Sequence, residues 1–140
     1  MFGKKKKNKN QRVKSLNTKI DLIIPGVSHM GMNDYGQIMI GDKAFEFYDD
    51  RDPQKYVQIP WKEVDLVIAS IYFGGKWIPR YGFQTKRNGM INFSSKEPKR
   101  VLRAVRVYID AEKIVRSLTF FQVISRGIKS MFKKNKKDQE

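Results

Sequence analysis

One histidine, His29, stands in a chain of 140 residues that has no cysteine. A single imidazole cannot build a multi-histidine metal site, and without thiols there is no disulfide, thiolate zinc site or cysteine nucleophile. No serine has a base partner other than His29. Carboxylates concentrate at Asp49-Asp50-Arg51-Asp52, but a calcium loop needs oxygen ligands at alternating positions, a central glycine and a distal glutamate. None follows, so the segment is expected to be a solvated loop capping a hairpin. Gly74-Gly75-Lys76 lacks the upstream glycine spacing and the following Ser or Thr of a phosphate loop, and a strand rather than a helix comes after it. Trp77 and Tyr81 could stack a flat ligand; on a two-residue repeat they are expected instead to share the core face. The residue types point to a non-enzyme with no cofactor and no bound metal.

What the chain does concentrate is positive charge. Its net charge is +15, and residues 1–14 carry seven Lys or Arg and no acid. Residues 111–140 carry eight bases and three acids, while residues 15–75 sum to −4 and residues 76–106 to +8. The two ends therefore look made for a polyanionic surface. The candidate anion contacts are Lys4, Lys5, Lys6, Lys7, Lys9, Arg12 and Lys14 at one end and Arg126, Lys129, Lys133 and Lys134 at the other. Phe2, Lys99, Arg103, Arg106, Phe120 and Phe132 are candidates for contact with a partner. No run approaches the ~18 apolar residues of a spanning helix, and no apolar segment follows the charged N-terminus as in a secretory signal. Phe2 stands where myristoylation needs glycine.

The elements that must position these residues are mostly strands. Residues 1–14 read as a disordered basic arm, with structure beginning near Thr18. Residues 18–24 are β-rich and end at Pro25-Gly26; 37–40, 44–48 and 56–59 are short strands. Val64–Phe73 is nearly continuous apolar and β-branched, as a central strand should be. A two-residue Gly74-Gly75 turn predicts Tyr72 opposite Trp77, Ile68 opposite Tyr81 and Leu66 opposite Phe83. A three-residue loop at Arg87-Asn88-Gly89, with Gly89 left-handed, pairs Phe83 with Phe93 and keeps Phe93 inside. The period then changes. Ser94-Ser95-Lys96-Glu97 can form a capping box, and Val101, Leu102, Val105, Tyr108 and Ile109 form one helical stripe with Lys99, Arg103 and Arg106 opposite. Asp110 can cap a second, amphipathic basic helix over 111–134, with a polar tail at 135–140. Seven strands in meander order and a helix describe a single mainly β domain over 15–110: a small, partly closed barrel with a helix over its open end.

That order resembles the pleckstrin-homology/GRAM-like fold. Residues 38–106, from IMIGDKAFEFYDD through SSKEPKRVLRAVR, resemble a small uncharacterised family encoded beside mannose-family sugar phosphotransferase permeases in Gram-positive bacteria, sometimes called ManO; RSLTFFQVISRGIK (116–129) is similar to its tail. The resemblance spans roughly residues 15–130 and implies a cytoplasmic protein linked to a membrane-embedded sugar transporter; together with the basic ends it leads to the expectation of a binding module, peripheral at the inner membrane face, that docks on membrane subunits of such a permease and modulates sugar transport. It supplies no catalytic residues. In that setting His29 invites comparison with a phosphoacceptor, with Asp34 and Gly31 as its only supports in the sequence; a lone loop histidine is expected to face solvent and stay inert. Two partners suit the basic ends. One is an anionic lipid surface, where each base is worth up to ~1 kcal/mol. The other is nucleic acid, bound by a regulator of the sugar operon. No helix-turn-helix, aromatic RNA-binding motif or zinc spacing supports the second, and the membrane reading is preferred.

Overall fold

The computed structural model describes residues 13–117. In chain order its elements are β1 (Ile20–Ser28), β2 (Asp34–Gly41), β3 (Ala44–Asp49), β4 (Tyr56–Pro60), β5 (Val64–Tyr72), β6 (Trp77–Thr85), β7 (Gly89–Ser95), α1 (Pro98–Arg106) and β8 (Ile114–Ser117). All strands join one sheet in the order β4-β3-β2-β1-β7-β6-β5-β8. Neighbours are antiparallel except β5 and β8, which run parallel.

This corrects the expected architecture. There are eight strands among the described residues, and the sheet has two unpaired edges, β4 and β8. It is therefore an open mixed sheet, not a seven-stranded, partly closed pleckstrin-homology/GRAM-like barrel. Nor is the strand order a simple meander. The meanders β1–β4 and β5–β7 are joined where β1 meets β7, and only Gly26–Ser28 of β1 take part. The beginning of the expected second helix is also a strand: Ile114–Ser117 pairs with Val67–Ser70. The free edge of β5 offers unpaired backbone groups, and the β-branched Ile114-Val115 pair suits an extended chain. The rest of that expected helix lies outside the described residues.

Local chemistry explains where strands continue and slip. β1 runs through Pro25-Gly26 instead of ending there, because Pro25 pairs only with Gln37 of β2 and pairing with β7 begins at Gly26. A residue without an N–H is tolerated where one side of the strand is free. Tyr72 lies opposite Trp77 as expected, but the next partners are Ser70 with Arg80, Ala69 with Tyr81 and Val67 with Phe83. One residue, Ile71, faces two, Ile78 and Pro79, so β6 carries a bulge beside a proline that cannot donate to the ladder. At the next turn Thr85 pairs with Gly89 and Phe83 with Ile91, two residues from the expected register but on the same face. Gly89 is left-handed, at φ 68°, and Phe93 is fully buried. The capping box does not form. Ser94 and Ser95 remain in β7, and Glu97 precedes α1 at φ 48° with no side-chain cap.

The core lies where Phe45 and Phe47 of β3 meet Phe83 of β6 and Phe93 of β7. Phe45 and Phe83 ring centres are 4.4 Å apart, and Phe45 and Phe93 4.8 Å. The helical stripe closes this core as the periodicity predicts: Val101 and Val105 are fully buried and Ile109 nearly so. That fixes the roll of α1, and with it the direction of its basic face.

Candidate functional site

Lys99, Arg103 and Arg106 recur at helical spacing, so burying Val101 and Val105 turns all three outward together. They border a groove of about 600 Å³ between α1, the end of β5, the β5–β6 turn and β8. Its floor is apolar: Ala69, Ile71, Ile78, Leu102 and Ile114. Arg116 adds a fourth base, since it sits opposite Ala69 and two residues beyond Ile114 on the same side of β8. Among the described residues no acid lines the groove. Among the described residues the ion pairs are Lys19–Asp21, Lys55–Asp34, Arg87–Glu63 and Arg100–Glu97, none of which involves the four groove bases. Four unpaired cations over apolar walls can hold an anionic group whose other end is greasy.

The turn at one end of the groove is aromatic. Phe73, Gly74 and Gly75 have φ of 53°, 64° and 93°, and Lys76 N–H donates to the Phe73 carbonyl at 3.2 Å. The link is thus a four-residue turn, not the expected two-residue one. Phe73 is 73% and Trp77 52% exposed, and their rings stack at 6.1 Å and 23°. Tyr72 lies 5.2 Å from Trp77. The expectation that Trp77 and Tyr81 share the core face is therefore half corrected: Tyr81 is fully buried, but the bulge at Pro79 reverses the alternation between them. Phe73 and Arg116 are candidate residues that sequence reasoning missed, and Trp77 is one that it raised and then assigned to the core; for Trp77 the proline four residues from Gly75 was the available signal.

The other candidates fall elsewhere. Lys14 has an exposed side chain, while its carbonyl accepts from Gln58 Nε2 at 2.9 Å. Residues 13–17 thus belong to the folded body, which begins before Thr18. Ser15 Oγ, Leu16 N–H, Asn17 Nδ2 and Gln58 Nε2 all donate to the fully buried Glu46 carboxylate, at 2.6, 2.7, 3.0 and 3.3 Å. Phe2, Lys4, Lys5, Lys6, Lys7, Lys9, Arg12, Phe120, Arg126, Lys129, Phe132, Lys133 and Lys134 lie outside the described residues.

The remaining chemistry is structural. His29 is half-buried rather than solvent-facing, with Nδ1 2.8 Å from Asn33 Oδ1 and Nε2 2.8 Å from Ser94 Oγ. Nδ1 braces the β1–β2 turn from within, and Nε2 ties that turn to β7. Asp34 pairs with Lys55 at 3.2 Å instead of orienting the imidazole. Asp49 Oδ1 accepts from the N–H groups of Arg51 and Asp52, at 2.7 and 2.8 Å, and so shapes the β3–β4 loop. Burial pushes the Tyr81 hydroxyl far above its ordinary pKa and the Tyr48 hydroxyl up to about 12. Both stay protonated at neutral pH, and Tyr81 donates to Ser95 Oγ at 2.7 Å. Among the described residues no helix is long and apolar enough to cross a membrane.

The fold has a counterpart among solved structures: the C-terminal domain of an unknown protein from Leishmania infantum, at TM-score 0.56 and 13% identity over 64% of this chain and 83% of that one. At that identity the likeness concerns fold alone. No curated protein matches the chain. The family described as "Domain of unknown function (DUF956)" matches residues 12–128, and the chain belongs to that family.

Proposed function

We propose that this DUF956 protein is a non-enzymatic accessory protein, peripheral at the inner face of the cytoplasmic membrane, that docks there on the membrane subunits of a mannose-family phosphotransferase permease and modulates transport. The observation that carries the membrane part is the groove with its unpaired Lys99, Arg103, Arg106 and Arg116. Near an anionic bilayer four bases contribute up to ~4 kcal/mol, decaying within a Debye length. The basic ends add to this attraction. The permease enters through the resemblance of residues 38–106, not through the groove.

Sedimentation with phosphatidylglycerol-containing and with phosphatidylcholine vesicles, across salt, tests the surface. The protein is expected to pellet with the anionic vesicles only and to release as salt rises. Arg103→Gln with Arg106→Gln should weaken binding by roughly five- to thirtyfold, the two lost charges being worth ~1–2 kcal/mol together. Tight, sequence-specific shift of operator DNA without vesicle binding would replace this reading with a nucleic-acid-binding regulator. Recovery of the permease subunits by pull-down from solubilised membranes tests the partner separately.

A further inference from the structure

We infer that the β5–β6 turn is an interfacial wedge: Phe73 and Trp77 enter the headgroup layer of an anionic bilayer while Lys76, Lys99 and Arg103 bind its lipid phosphates. The inference rests on the membrane reading and deepens it by naming which part of the molecule enters the lipid.

Three features converge on this tip. The first is exposed aromatic surface. Phe73 and Trp77 are stacked on each other and mostly in water, although Phe93 and Phe83 nearby on the same sheet are fully buried. Trp and its neighbours are the side chains that settle at headgroup depth, where a flat ring meets apolar and polar surroundings at once.

The second is backbone geometry. A bulky residue at φ 53° is an outlier that persists only where the structure enforces it. Here two glycines with positive φ follow, and a Cβ on Gly74 or Gly75 would meet nothing within 4 Å. The turn is therefore open around both glycines. An exposed aromatic pair on an open turn fits a deformable layer better than the preformed pocket of a folded protein.

The third is charge complementarity. Phe73, Gly74 and Gly75 border the same groove as Lys99, Arg103, Arg106 and Arg116. Lys76 joins Lys99 and Arg103 around an adjoining depression whose one acid, Glu97, is paired with Arg100 at 3.6 Å. Bases beside and behind the rings are placed to meet phosphates as the rings enter. An acidic protein segment would satisfy the bases but would leave the outward rings in water.

The test uses the full chain and vesicles of phosphatidylglycerol with phosphatidylcholine, or of phosphatidylcholine alone, with brominated lipids as quenchers. Trp emission should shift to the blue and be quenched by anionic vesicles in the wild type, and this response should disappear in Trp77→Phe. Phe73→Gly should leave the thermal midpoint unchanged or raise it, because glycine accepts that φ, while weakening vesicle affinity roughly tenfold. Lys99→Gln with Arg103→Gln should remove the preference for the anionic vesicles. Vesicle binding with an unresponsive Trp77 and an undiminished Phe73→Gly affinity would overturn the wedge and leave the membrane reading standing. Absence of binding to any vesicle would overturn both. A lowered midpoint with unchanged affinity in Phe73→Gly would make Phe73 a structural residue and overturn its role here.

Discussion

Two acidic side chains fix the start of the folded chain, and they do so in different ways. Asp42 Oδ1 accepts from the N–H groups of Thr18 and Lys19 at 2.9 and 3.0 Å, and its other oxygen takes the Thr18 hydroxyl. Chiefly through that hydroxyl, its pKa is lowered from 3.8 to about 2. The folded state thus favours the carboxylate. Its stabilisation is complete above the unfolded value and is lost as pH falls through the folded one. Asp42→Asn is therefore expected to lower the thermal midpoint most above about pH 4, with the gap to the wild type closing towards about pH 2; a gap constant over that range would mean the charge is irrelevant. Among the described residues Glu46 has no base as a partner and is held by four donors inside the protein. Removing it orphans those donors, so Glu46→Ala should cost about 2–4 kcal/mol in urea unfolding. Sequence alternation could place Glu46 on the face opposite Phe45 and Phe47, but not its partners, which come from residues 15–17 and 58.

At the scale of elements, the periods were legible and the punctuation was not. The helical stripe in α1 needed only its own apolar spacing, and it delivered Lys99, Arg103 and Arg106 to one face. The β5–β6 register needed the cost of Pro79, whose missing N–H moves the pairing by one residue and sends Trp77 outward while Tyr81 goes in. Pro25-Gly26 was hidden for the opposite reason: it resembles a turn, yet Gly26 lies opposite Gly36 in a continuous ladder. Close approach explains that glycine pair. A Cβ on Gly36 would stand 2.1 Å from the Tyr48 carbonyl oxygen, which is backbone and cannot swing away. Gly36→Ala should therefore destabilise the protein by about 2–4 kcal/mol by prying β2 from β3. A substitution without effect on the unfolding midpoint would show that the ladder yields there.

Across the whole molecule, charge could be counted from the sequence, whereas sheet order could not. Pairing of β1 with β7 joins segments some 65 residues apart through three residue pairs, Gly26–Ser95 to Ser28–Phe93, and no local pattern announces it. Ile114-Val115-Arg116-Ser117 was too short to separate helix from strand by period, and the free edge of β5 decided it. The groove bases lie by β5 and β8, at one end of the strand order, and residues 13–17 contact β3 and β4, at the other. Residues 13–17 are thus held by the Glu46 and Gln58 contacts, and none of them lines the groove. Two truncations separate attachment from attraction. Both remove Lys4, Lys5, Lys6, Lys7, Lys9 and Arg12, but only removal through Asn17 also takes away Ser15, Leu16 and Asn17. That second truncation should be about 2–4 kcal/mol less stable to urea than truncation through Arg12, since it strips three donors from a buried carboxylate. Their salt dependence on anionic vesicles should differ only by the one charge of Lys14. Equal stabilities would mean that residues 13–17 rest on the sheet without holding it.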